Sequence, residues 1–169
     1  MYTSVVLVAL ASLVTHEELA MRPAWLKDYS VAFERGTALQ KPLAVFIGSG
    51  EAGWNEVSRE GSLGREVNEV LASDYVCVYL DTDKREARQL AKQFQIMDGL
   101  GLVLSDRSGR LQAFRHEGGL GSTELQTYLR RYADPDRAAV TTETWEDLQP
   151  RPAPPVQPVY RYAPVTRSC

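Results

Sequence analysis

Two short apolar runs, Leu43–Ile47 and Tyr75–Leu80, constrain the fold of this chain more than any other feature. Neither alternates with polar residues, the pattern of a strand covered on both faces. The stretch between them reads as helical. The two strands are therefore joined by a crossover, which makes them parallel and gives the connection its usual right hand. Around this unit the periodicity predicts four helical regions. Pro23 to Gly36 spaces Trp25, Tyr29, Ala32 and Phe33 on one face, with Pro23 suited to a first turn and Gly36 to an exit. A second region begins near Glu51, runs to about Arg59, breaks at Gly61-Ser62 and resumes with Val67, Val70 and Leu71, Ser62 serving as cap. Lys84 to Phe94 carries Ala87, Leu90, Ala91 and Phe94 on one side. A last helix, capped by Ser122, turns Leu125, Tyr128, Leu129 and Tyr132 inward. Before it, Leu102–Ser105 and Arg110–Phe114 flank Asp106-Arg107-Ser108-Gly109, a hairpin turn, and His116–Gly121 reads as a surface loop. The expected architecture is α/β, a mixed four-stranded sheet between layers of helices.

A chain of 169 residues suits one domain with appendages. The ordered unit spans 22–133. From Asp134 onward the composition turns Pro-rich: Pro135, Pro150, Pro152, Pro154, Pro155, Pro158 and Pro164 predict a disordered tail over 134–169. Residues 1–20 contain an apolar run, Val5 to Val14, which reads either as a signal peptide without its usual basic start or as a loose terminal segment. Export, periplasmic or extracellular, is favoured over a cytoplasmic location. The formal charge of −3, with no basic cluster, excludes a general nucleic-acid binder. No apolar run approaches the roughly 20 residues of a membrane-spanning helix.

Cysteine usage is sparse. Cys77 lies inside the second apolar run and reads as a small core residue. Cys169 is the last residue, a candidate for an intermolecular disulfide; without that pairing a monomer is expected. Two cysteines are too few for a disulfide framework.

The phrases Lys41-Pro42-Leu43-Ala44-Val45-Phe46, Val76-Cys77-Val78-Tyr79-Leu80-Asp81, and Phe94-Gln95-Ile96 followed by Leu102-Val103-Leu104 and Asp106-Arg107-Ser108-Gly109 resemble, in order and spacing, the thioredoxin-like superfamily. The likeness covers roughly Trp25 to Tyr132. It implies a three-layer sandwich, and it is nearest to short bacterial thioredoxin-like domains. It also implies where dithiol chemistry would sit, at the turn after the first strand. There the chain reads Gly48-Ser49-Gly50-Glu51-Ala52-Gly53-Trp54, with Glu51 and Trp54 at the two cysteine positions. No cysteine occurs before Cys77. A redox member needs a thiolate at a helix start and a second cysteine to resolve the mixed disulfide. The family's buried acid falls at Val45 and its cis-proline near Leu100, where a trans bond is expected. The resemblance thus implies a redox-inactive member, with no cofactor and no dithiol activity.

What remains is binding. Redox members hold extended peptide in the groove beside the turn. By position, that groove here comprises Gly50, Glu51, Trp54, Leu100 and Gly101. Trp54 is either a lid on the core or an anchor for an unidentified protein or peptide partner. Two other readings stay open. One is a non-thiol enzyme centred on Glu51 and the glycine turn; the nearby carboxylates Glu56 and Glu60 read more simply as exposed helix charges, and no catalytic residue is assigned. The other is a structural protein tethered through its tail and Cys169. Gly48-Ser49-Gly50 lacks the ending of a nucleotide loop, and His16 and His116 lack the spacing of a zinc site.

Overall fold

The computed structural model describes residues 22–137 and 141–148. The expected signal segment, Cys169 and most of the Pro-rich tail lie outside the described residues.

Five strands form one mixed sheet: β1 (Leu43–Gly48), β2 (Val76–Asp81), β3 (Gly101–Ser105), β4 (Gln112–Glu117) and β5 (Glu143–Thr144). The spatial order is β2-β1-β3-β4-β5. β1 and β2 are parallel, with Leu43 opposite Val76 and Gly48 opposite Asp81, as a helical crossover requires. β3 runs antiparallel to both β1 and β4. The helices are α1 (Tyr29–Leu39), α2 (Arg65–Asp74), α3 (Arg85–Gln93) and α4 (Ser122–Ala133), with a single helical turn at Trp145–Leu148.

Alternation along the strands divides the core in two. Ala44, Phe46, Cys77, Tyr79, Leu102, Leu104 and Phe114 face one way, onto Val67 and Leu71 of α2 and Leu125, Tyr128, Leu129 and Tyr132 of α4. Leu43, Val45, Ile47, Val76, Val78, Leu80 and Val103 face the other, onto Ala32 of α1 and Ala91 of α3. Residues of both sets are buried, which is why β1 and β2 show no charged position before Asp81 at the end of β2. The result is a sheet between two helical layers.

Three local features depart from the sequence reading. The first helix begins at Tyr29, not near Pro23, because the Asp28 carboxylate accepts from the Ser30 and Val31 N–H groups at 2.8 and 3.2 Å. The lead-in instead runs beside β2: Leu26 forms one parallel bridge with Val78, donating to Cys77 O at 3.0 Å and accepting from Tyr79 N at 2.8 Å. Second, the helix expected from Glu51 to Arg59 is a short 3-10 helix, Gly53–Val57, and α2 starts after Gly64 rather than Ser62. Third, the sheet has five strands rather than four. β5 pairs parallel with β4, Phe114 opposite Glu143 and Arg115 opposite Thr144. Its anchor is the Glu143 carboxylate, which accepts from Tyr132 Oη at 2.6 Å, from Arg131 at 3.2 Å and from Arg137. Leu148 packs onto the α2–α4 side of the core. The composition shift after Asp134 hid this strand, since the stretch that docks, 141–148, contains no proline. His116, expected in a surface loop, is half-buried on β4.

Candidate functional site

β1 ends at Gly48 and the chain turns back before the 3-10 helix. Two glycines make the turn feasible. Gly50 has φ +81°, a conformation open to residues without Cβ. Gly53 lies so close to β2 that a Cβ there would stand 2.4 Å from the Tyr79 hydroxyl.

The end of β2 then pins the turn. Tyr79 Oη donates to Gly50 O at 2.6 Å, and Gly50 N donates to Asp81 Oδ1 at 3.1 Å. Asp83 N donates to the same Asp81 oxygen at 3.2 Å, and Ser49 Oγ donates to Asp83 Oδ1 at 2.7 Å. Thr82 N donates to Gly48 O at 2.8 Å. The buried Thr82 hydroxyl stands 3.0 Å from Gly48 O and 3.4 Å from Gly99 O, sharing one proton between the turn and the loop that precedes β3. That loop is held in its own right: Asp98 N donates to Glu117 Oε1 at 2.7 Å, Met97 N donates to the same oxygen, and Gly118 N donates to Leu100 O at 2.8 Å. All described peptide bonds are trans, Leu100 included.

The five residues assigned to the groove do not share one cleft. Gly50 and the exposed Glu51 line a cavity of about 280 Å³ together with Lys27, Tyr79, Asp81, Lys84 and Ala87. Trp54 is not in its wall. It stacks on Trp25, ring centroids 5.3 Å apart and planes 23° from parallel, and meets the Tyr79 ring edge-on at 5.0 Å. Trp25 in turn meets Phe46 edge-on at 5.0 Å. Both indoles are half-buried, and Leu100 packs on the same apolar cluster. Gly101 is buried. It is paired with Ile47 and Glu117, and an added Cβ would lie 2.5 Å from His116 O, so it serves strand packing rather than a surface. Sequence reasoning missed Trp25, Lys27 and Thr82. Trp25 was hidden because its four-residue spacing to Tyr29 fits a helix as readily as an extended lead-in.

Electrostatics around the turn follow burial. Burial, reinforced by the Asp81 charge, pushes the Tyr79 phenol up to about 12. The Cys77 thiol, 3% exposed and 3.6 Å from Leu71 O, is pushed up to about 12 by burial, with Lys41 acting in the opposite sense. A thiol in that state is inert at neutral pH. His116 is held below the usual imidazole range, chiefly by burial. Among the described residues, no three His, Cys, Asp or Glu side chains gather as a metal site would require. No described helix is long and apolar enough to cross a membrane.

The sheet order, the two helical layers and the position of the glycine turn define a thioredoxin-like fold. The chain is similar to a thioredoxin from Thermus thermophilus, known from a solution structure, with a TM-score of 0.54 and 18% identity over 64% of this chain and 85% of that one. A structure described as DsbH oxidoreductase aligns at a TM-score of 0.48, with 18% identity over the same shares of the two chains. At this identity the likeness defines the fold alone. No protein-family profile matches the chain, and comparison with curated proteins returns no match.

Proposed function

We propose that this chain is a redox-inactive thioredoxin-like module that binds protein or peptide where the glycine turn meets the loop before β3. The observation that carries the reading is the half-buried Trp25–Trp54 stack beside a turn fixed by Tyr79, Asp81, Thr82 and Asp83. An aromatic anchor next to rigid backbone limits the ordering loss on binding, which is where affinity is usually forfeited. The redox half of the proposal is supported by Glu51 and Trp54 standing at the two cysteine positions, and by the burial of Cys77.

A non-thiol enzyme centred on Glu51 gains less support. Of the polar groups around that cavity, Asp81 and Tyr79 are already bonded to the turn backbone. The tail-tether reading rests on Cys169, outside the described residues.

The test has two parts. With dithiothreitol as the electron source, the protein is expected not to accelerate reduction of insulin disulfides; catalytic turnover would overturn the redox assignment. For binding, peptides selected from a displayed library are titrated into labelled protein. The Trp54 indole N–H and the Gly50 and Glu51 amides should shift. Trp54→Ala should weaken binding by roughly 30-fold, the size of an interface hot spot, while Trp54→Phe retains the folded spectrum. Peptides that bind elsewhere, or as well to Trp54→Ala, would remove the groove from the proposal.

A further inference from the structure

We propose that a cleft at the outer edge of β2, away from the glycine turn, binds a phosphate-type oxyanion. The cleft has a volume of about 160 Å³, and its wall includes Arg22, Arg35, Lys41, Ala24, Leu26 and Cys77. Three cationic residues line it, and among the described residues no carboxylate does. That grouping stands against a chain whose formal charge is −3. Among the described residues none of the three forms an ion pair; the pairs present are Arg65–Glu69, Arg131–Glu143 and Arg137–Glu143. Lys41 Nζ donates to Ser73 O, which fixes its ammonium near the end of α2. Like charges around one concavity repel each other, and an anion between them converts that repulsion into attraction.

The backbone adds an independent donor. In a strand, the N–H and C=O of one residue point to the same side. Cys77 O accepts from Leu26 N at the outer edge, so Cys77 N–H points there too. A continued parallel ladder would bring Ala24 O to meet it. The lead-in instead touches β2 at the single Leu26 bridge, and among the described residues no acceptor meets the Cys77 N–H. A buried amide of this kind is rarely left alone. Two arginines, a lysine and the strand residue carrying this amide thus line one small space. The complementary ligand is acceptor-only, compact and charged. Guanidinium forks match phosphate oxygens in pairs, which favours phosphate over a monovalent halide. The thiol of Cys77 takes no part, being directed to Leu71 O.

The test is an amide and arginine Nε–H titration of the full chain with inorganic phosphate, ionic strength held constant with chloride. A saturable shift at the Cys77 amide is expected. Arg22→Gln and Arg35→Gln should each weaken it about tenfold or more, the loss of one charge-assisted contact. Both residues are exposed, so the melting temperature without phosphate should not move. Glycerol phosphate and vesicles of phosphatidic acid in phosphatidylcholine form two further arms; whichever binds tightest names the source of the phosphate group. The proposal is overturned by a shift that chloride reproduces, by binding that both arginine variants retain, or by no saturable shift in any arm. None of these outcomes bears on the peptide groove, which uses other residues.

Discussion

A methyl group on Gly53 would stand 2.4 Å from Tyr79 Oη and 3.1 Å from the Gly48 carbonyl carbon, so turn and strand are matched at the level of single atoms. Gly53→Ala is expected to destabilise the protein by about 1–3 kcal/mol through overpacking. Tyr79→Phe leaves Gly50 O without its donor and is expected to lose about 1–3 kcal/mol. Because the clash is with the very hydroxyl that Phe lacks, the double variant should lose less than the two singles combined, read as urea midpoints. Additive losses would show that the hydroxyl is not the obstacle. Buried acids on β2 contribute to the alkaline limit. Cys77 and Tyr79 rise from 9.0 and 10.0 to about 12, so the unfolded chain releases these protons first. Their contribution is complete below pH 9.0 and is lost as pH climbs toward about 12. The urea midpoint should therefore fall steadily above pH 9.0, with an earlier start in wild type than in Cys77→Ala. His116 works on the opposite flank: held below 6.5, it contributes above that value and its contribution is lost as pH falls.

Among the elements, those whose burial is written into a continuous or periodic apolar pattern were legible. β1 and β2 appear where two unbroken runs predicted them, and α4 buries the four side chains its spacing named. Its start shows what a single pattern omits. Gly121 has no side chain to cap with, and the first amides are met by Glu124, which accepts from Gly121 N at 3.0 Å, and by Glu60, which accepts from Ser122 N at 3.1 Å. Glu60 comes from a distant segment, so no local motif could announce it. β5 was illegible for a similar reason: two residues held by a carboxylate carry no hydrophobic signal. That carboxylate makes the strand separable. Burial raises the Glu143 carboxyl, but the Tyr132 hydrogen bond and the Arg137 and Arg131 charges outweigh it and hold it below 4.5. The sign is that of a depressed acid: the docking contribution is present above pH 4.5 and lost as pH falls through the lowered value. Hydrogen exchange at the Arg115 amide, which faces β5, should accelerate in acid before the β1 amides do. In Glu143→Gln that acceleration should be present already at neutral pH. Protection that stays uniform across the sheet would show that β5 is held by its backbone alone.

For the whole molecule, the layer order was legible because the crossover between two buried strands leaves few topologies. The site was less so. The turn residues were correctly placed at the end of β1, but what surrounds them comes from the far end of β2 and from the lead-in before α1, brought together only by folding. The boundary is a case in point. Ending the chain after Ala133 removes β5 and the Glu143 contacts and should lower the melting temperature by several degrees relative to a chain ending after Leu148. Equal stability of the two truncations would show that 141–148 contributes nothing. Trp25 and Trp54 carry one more consequence. Two indoles stacked at 5.3 Å with planes 23° apart share their excited states, so their transitions split into a pair of opposite optical sign. One ring rides on the lead-in and the other on the 3-10 helix that follows the turn. The circular-dichroism couplet is thus a built-in gauge of whether those two segments are seated against each other, readable in solution without any label.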